Sequence, residues 1–309
     1  MEIIYLEQDE QSKILEQATY ANNYAAFVPW SNSISFKINS FKYQEQRQTM
    51  RIAEDFLANL GFTRDNVETE CSMQPYFDDI GKTILSFSGL EDNQQFEKIY
   101  LSNVAPLSMS LDKVIKNRRS IRQFTGDSVS LEYVASIVKA GSGITVEDEV
   151  SVGKSSTTTL SYRTAPSAGG IYPNELYIAS LNVDKLAVGI YQYNALEDCL
   201  VKIYNKSTVD ELLETFSTKE DQISIKRAGF VCLLIGSAPK SMYKYGSRGL
   251  GFTIHEIGAI SQNIHLAVTS LGIGSVDCAS YYNDETHRIL NLDGIYRHLF
   301  HTIVIGVSQ

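Results

Sequence analysis

Apolar and polar positions along this 309-residue chain change period several times, and each change predicts an element. Around Gln46 to Leu60, Met50, Ala53, Phe56, Leu57 and Leu60 recur at helical spacing before Gly61, which stops the helix. Ser110 caps a short helix carrying Leu111, Val114 and Ile115. Ser130 caps a second, whose stripe of Leu131, Val134, Ala135 and Val138 ends before Gly141. Ser142 to Tyr162 has no sustained period and is rich in Gly, Ser, Thr and acids. It reads as a long loop, either a mobile cover over a site or a variable insertion. Strands are expected at Glu175 to Leu181, Gly189 to Tyr193, Leu200 to Tyr204, Phe230 to Ile235 and Thr302 to Val307, with helices near Val209 to Phe216 and from Phe252 to Leu271. From Leu107 onward, therefore, helices alternate with strands. No internal repeat of solenoid period and no low-complexity tract interrupts the pattern.

Composition fits a folded domain: 43% apolar and 20% charged residues suffice to bury a full core. The longest apolar run, near Phe230 to Ile235, is far short of the roughly 20 residues that a membrane span requires. The start Met1-Glu2-Ile3-Ile4-Tyr5-Leu6-Glu7 lacks the basic beginning of a secretory signal, so a cytoplasmic location is expected. Cys71, Cys199, Cys232 and Cys278 are widely spaced, without CxxC pairs, and read as reduced and mostly buried; no metal is implied. A formal charge of -9 opposes binding to nucleic acid, which needs a basic face. That charge is uneven. Residues 1–105 hold 16 acids against 8 bases, leaving 20 acids against 19 bases for residues 106–309. The first stretch reads as an acidic extension for packing or docking, and the second as the domain that carries chemistry.

Four segments in residues 106–309 concentrate unusual residues. Arg118-Arg119-Ser120-Ile121-Arg122 places three guanidinium groups and a hydroxyl within five residues, which suits an anion or a ring carbonyl; the alternative is a solvated charged turn. Pro166-Ser167-Ala168-Gly169-Gly170 has small residues where a backbone approaches something flat, or simply turns. Leu271-Gly272-Ile273-Gly274-Ser275 can present backbone N–H groups to a ligand, although Gly272 is also an ordinary helix stop. Finally, Lys244-Tyr245 sets a cation beside a phenol. A tyrosine titrates near about 10 when unperturbed, so to act as a base near neutrality it needs a neighbour that favours the phenolate, and an ammonium does that.

Several other patterns fail. The GxG at Gly272 follows a helix instead of preceding one, so a Rossmann nucleotide site is not supported. Ser241-Met242-Tyr243-Lys244 satisfies SxxK but lacks the downstream motifs of penicillin-recognising enzymes. His255-Glu256 lacks the second histidine of HExxH. His255 and His265 read as polar positions on an amphipathic helix, and His298 and His301 as flanking a strand start without nearby carboxylates.

In order, the arginine segment, Arg163 through Tyr177, Tyr243-Lys244-Tyr245-Gly246, His255 through Asn263 and Leu271 through Ser275 resemble the SagB/McbC-type azoline dehydrogenases of the FMN-dependent nitroreductase superfamily. The resemblance implies an α+β fold, with a mostly antiparallel central sheet surrounded by helices, in a homodimer holding FMN at the subunit interface. It implies that Arg118, Arg119, Ser120 and Arg122 hold the phosphate, ribityl chain and pyrimidine edge. Pro166, Ser167, Ala168, Gly169 and Gly170 would touch the flavin from the partner subunit, Gly272, Ile273, Gly274 and Ser275 would line its ring, and Arg297 is the available basic phosphate contact. It further implies oxidation of peptide thiazolines or oxazolines to thiazoles or oxazoles, with Tyr245 as base and Lys244 favouring its anion. The substrate would be a ribosomal precursor peptide cyclised by a cyclodehydratase complex, or an intermediate bound to a nonribosomal peptide synthetase. A stand-alone NAD(P)H-dependent nitro- or quinone reductase is the other activity this fold accommodates.

Overall fold

The structure is a computed structural model that describes residues 56–57, 96–152 and 156–309. Two compact units partition the chain: residues 1–74 with 245–248, and residues 75–244 with 249–309. The second carries every strand and, apart from the junction residues 245–248, every helix named below. In chain order these are β1 (Lys98–Tyr100), α1 (Leu111–Asn117), α2 (Leu131–Ser142), β2 (Ile144–Val152), β3 (Ser156–Arg163), β4 (Asn174–Ser180), β5 (Gly189–Asn194), β6 (Cys199–Tyr204), α3 (Lys206–Glu214), β7 (Phe230–Gly236), α4 (Ala238–Tyr245), α5 (Arg248–Ser270), β8 (Gly274–Asp277), α6 (Asn283–Ile289) and β9 (His298–Gly306).

Seven strands form one sheet in the order β1-β6-β5-β4-β7-β9-β8, and every neighbouring pair is antiparallel. The α+β architecture with an antiparallel sheet is therefore observed. Its edge strand β1 comes from the stretch grouped by charge with the acidic extension. β7 lies at the centre, paired with β4 on one side and β9 on the other, and all seven of its residues are buried. Burial on both faces explains why its sequence is a continuous apolar run and does not alternate.

Helices cover both faces. Phe230, Cys232 and Leu234 join Val134, Ile137 and Val138 of α2 and Ile257, Ile260, Ile264 and Val268 of α5 in one core. Val231, Leu233 and Ile235 point the other way, toward Val209 and Leu212 of α3. At roughly 25 cal/mol per Å² of apolar surface removed from water, these two layers are the main stabilising term of the domain. α2 begins as expected, with the Ser130 hydroxyl accepting from the Tyr133 N–H at 3.2 Å.

Differences from expectation are local. Of the Gln46 to Leu60 helix only Phe56 and Leu57 are described, both helical; its remainder, like Cys71, lies outside the described residues. The stretch from Ser142 to Tyr162 forms, across its described residues, the antiparallel hairpin β2–β3, for which β-branched Thr145, Val146, Thr157 and Thr159 provide the propensity. Gly274 to Asp277, expected as the end of a glycine turn, continues into strand β8 opposite β9.

Candidate functional site

Two of the four segments meet along β8. Ser120 forms a parallel bridge with Ser275, and the backbone N–H of Ile121 donates to the Ser275 carbonyl at 2.9 Å. Gly274 permits this approach, because a Cβ there would sit 2.7 Å from Ile121 Cγ2. Gly272 ends α5 at φ +72°, with open space where its Cβ would be, consistent with a left-handed helix stop. Arg119 and Arg122 are exposed and Arg118 half-buried. The Arg119 guanidinium donates to the carbonyls of Lys116 at 2.8 Å and Arg118 at 2.7 Å. Thus an arginine-rich turn rests on a glycine-rich strand, offering guanidinium donors beside closely approachable backbone. That donor set suits a phosphorylated, carbonyl-bearing ring ligand such as FMN.

The Pro166–Gly170 segment is placed by α5. It forms a short turn in which Gly169 and Gly170 take φ +62° and +66°, values that glycine adopts without strain. Tyr172, at φ +49°, is held in this disfavoured region by hydrogen bonds. Its N–H donates to Ser167 Oγ at 2.9 Å, and its hydroxyl accepts from the Arg163 N–H at 2.9 Å. Asn174 Nδ2 donates to the Thr253 carbonyl at 3.0 Å, and Asn263 Nδ2 reaches the Thr164 carbonyl at 3.5 Å. Among the described residues no hydrogen bond joins this segment directly to Arg118–Arg122.

Glu256, which the sequence offers as half of a failed zinc motif and within the His255–Asn263 segment but without a role of its own, is 2% exposed beside this segment. Burial pushes its carboxyl up to about 7, against the opposing effects of hydrogen bonds from Ser167 and Asn174 and of the Arg163 charge. Its Oε2 and Asn174 Oδ1 are both buried without a hydrogen-bond partner. The signal was Glu256 itself, a carboxylate one helical turn from Thr253 and Ile260, both buried.

Lys244 and Tyr245 are the last two residues of α4. Lys244 is 5% exposed, and burial lowers its proton affinity. Arg297 directs its guanidinium to β4, donating to Glu175 Oε2 at 2.9 Å and the Tyr177 hydroxyl at 2.6 Å. The histidine expectations need correction. His255 is exposed, but His265 is buried at 3%, and His301 has a carboxylate, Asp277, 2.7 Å from its Nε2. Asp277 was missed because β8 was not foreseen. Two clefts, of about 600 and 410 Å³, flank α2. Neither is lined by residues of the arginine, Pro166–Gly170 or Gly272–Ser275 segments.

Residues 115–307 match the nitroreductase family. The chain belongs to that family, and membership marks it as an oxidoreductase. A candidate nitroreductase of Methanocaldococcus jannaschii is 28% identical over 184 residues, covering 60% of this chain and 85% of that protein. A candidate nitroreductase of Anabaena variabilis shares the fold with a TM-score of 0.55 at 17% identity, over 72% of this chain. This chain spans only 44% of that one. A chain of the E. coli microcin synthetase McbBCD complex, solved with truncated pro-MccB17 bound, gives a TM-score of 0.50 at 18% identity over 85% of this chain and 94% of its own length. Among the described residues no helix is long and apolar enough to cross a membrane.

Proposed function

We propose that this protein is an FMN-dependent dehydrogenase that oxidises thiazolines or oxazolines in a peptide to thiazoles or oxazoles. The observation that carries the choice of reaction is Lys244, a lysine buried at the end of α4 beside Tyr245. Lysine is rarely buried without a role, and a nitro- or quinone reductase has no evident need for this pair. Tyr245 takes the proton from the ring carbon that was the amino-acid α-carbon, and Lys244 favours the phenolate that receives it. FMN, when bound, supplies the acceptor for the companion hydride. Arg118, Arg119, Ser120 and Arg122 hold the cofactor's phosphate, ribityl chain and pyrimidine edge, while Gly272–Ser275 lines its ring.

A second copy of the chain completes the site with its Pro166–Gly170 segment. Exposed Leu107, Leu111, Ile115 and Ile254 support such a dimer. The substrate is a cyclised precursor peptide delivered by a cyclodehydratase complex, or an azoline held on a nonribosomal synthetase; likeness to a chain solved in complex with truncated pro-MccB17 favours the former.

Incubation of the FMN-loaded protein with a synthetic thiazoline peptide tests the activity. A mass loss equal to H2 is expected, and no change in any carrier context would sink it. Similarity to the M. jannaschii protein favours the second activity, NAD(P)H-dependent nitro- or quinone reduction. Rapid bleaching of the flavin by NADPH with turnover of a nitroaromatic identifies it.

A further inference from the structure

The hairpin β2–β3 stands outside the seven-stranded sheet, and among the described residues neither of its strands pairs with a third. Successive residues of a strand point to opposite faces, yet Thr145, Val146, Glu147, Asp148 and Glu149 are all exposed. Core therefore packs on neither face of this stretch. A two-stranded ribbon bare on both faces is marginal in water, and a third strand is the ordinary remedy. The outer edge of β2, turned away from β3, presents main-chain N–H and C=O groups for such a strand. It does so along nine residues without proline, about 30 Å at about 3.3 Å per residue.

Beside β2 lies a groove. The larger cleft, about 600 Å³, is lined by Ile144 and Glu147 of β2, by Ala140 of α2 and by Val104, Ala195 and Leu196, with no residue of β3 in its wall. Val104 and Leu196 are exposed apolar side chains. Main-chain bonding to a free edge gives a docked peptide its affinity, and an apolar recess beside the edge takes its side chains. The smaller cleft shares Leu107 with the larger and adds Leu111; both residues belong to the proposed dimer face, and that cleft plays no part. Thr164 lines the larger cleft and is followed closely by Pro166, so the groove opens next to the segment that touches the flavin in the proposed function.

Charge selects the occupant. β2 carries Glu147, Asp148 and Glu149 in succession and no base. In the cleft wall Lys139 is committed to Asp198 at 2.6 Å, whereas Glu147 accepts only from the neutral Ser161 hydroxyl at 3.1 Å. A second copy pairing antiparallel through β2, centred on Asp148, would set these carboxylates against their own kind, and like charges directly opposite destabilise a sheet. A strand with lysine or arginine at its centre meets them favourably.

We propose that the outer edge of β2 and the adjoining cleft dock an extended peptide as an added strand, basic at its centre and with an apolar side chain in the cleft, and that this peptide is the flank of the substrate. Its identity as substrate rests on the proposed function; the edge, the groove and the charge do not.

Binding and turnover test the two parts separately, on the FMN-loaded full chain. The probe is a fluorescein-labelled peptide of the length of β2, with lysines at its centre and threonine, valine and leucine on either side. By fluorescence anisotropy it is expected to bind about tenfold more tightly than its counterpart with glutamates for lysines, and the variant combining Glu147→Lys, Asp148→Lys and Glu149→Lys reverses that order. N-methylation of alternate amides of the probe abolishes binding in one phase of the alternation and spares it in the other, since only one edge of an added strand faces β2. Equal affinity for the two peptides, or equal tolerance of both methylation patterns by the wild-type protein, overturns the dock, and the second comparison needs no variant. A change of oligomeric state in the charge-reversed variant, seen by sedimentation, assigns the edge to a second copy and likewise overturns it. In turnover, a thiazoline peptide with the same lysines shows a KM raised about tenfold in that variant. An unchanged KM overturns the capture of substrate by β2 while the reaction stands. Tight binding, sensitive to the phase of methylation, of a thiazoline peptide that the wild type never oxidises overturns the reaction while the dock stands.

Discussion

Ile121 and Ser275, 154 positions apart in sequence, are joined by a backbone hydrogen bond of 2.9 Å, and that bond seats the arginine turn on the glycine-rich strand. Gly274 makes the seat possible, since a Cβ would stand 2.7 Å from Ile121 Cγ2 and 2.9 Å from Ile121 Cβ. Gly274→Ala is expected to cost about 1–3 kcal/mol through overpacking. It should also weaken FMN binding by displacing Arg118–Arg122. Denaturant unfolding and flavin titration measure the two effects; native FMN affinity in a folded Gly274→Ala protein would separate the bridge from the cofactor.

Glu256 should give the domain a distinctive pH dependence. Its carboxyl is raised from 4.5 to about 7, so between those values the folded state binds more protons than the unfolded one. Stability from this group is fully present below 4.5 and is lost as pH rises through about 7, by about 3 kcal/mol in all. Glu256→Gln keeps the shape and removes the titration. Unfolding free energies measured from pH 4.5 to 8 should fall less steeply in Glu256→Gln than in the wild type. Parallel profiles would show that Glu256 ionises normally.

The strands that could be foreseen are those whose environment is uniform. β7, buried on both faces, appears as the run Phe230 to Ile235 whatever packs on it. What escaped depends on partners distant in the chain. β8 is four residues long and acquires its strand character only from β9 and the Ser120 bridge. The β2–β3 hairpin hides among acids and serines because its partner is itself and its alternation is not one of apolar with polar. The arginine and glycine segments were legible as compositions, and the fold supplies their contact. His265 and Glu256 were not, because both sit on α5 at positions where an exposed polar residue and a buried one leave the same mark on the helical period.

Arg297 is expected to matter for stability. Burial works against its charge, but Tyr177 and Glu175 more than offset this and raise its proton affinity. Removing the guanidinium leaves the Glu175 carboxylate, 17% exposed in its side chain, without that partner. Arg297→Ala should destabilise the domain by about 1–3 kcal/mol while FMN affinity stays within twofold or so of the wild type. A large loss of FMN binding with unchanged stability would instead assign Arg297 to the cofactor phosphate.

Gly249 governs how α4 is presented. A Cβ at this position would run into the backbone of Ser241 and Met242, approaching the Met242 Cα at 2.6 Å. Main chain cannot rotate aside as a side chain does, so Gly249→Ala must move α4 bodily. α4 ends in Lys244 and Tyr245, whereas the arginine and glycine segments lie on other elements. The two proposed roles therefore separate in this variant. Thiazoline turnover should fall at least tenfold, as expected when a proton-transfer group is misplaced by a fraction of an ångström, while the protein remains yellow with FMN. Tyr245→Phe should show the same division without the displacement, retaining cofactor and losing turnover. Full turnover in Tyr245→Phe together with loss in Gly249→Ala would shift the role of base from the phenol to Lys244, whose burial already lowers its proton affinity. Lys244→Met would then be the inactive variant.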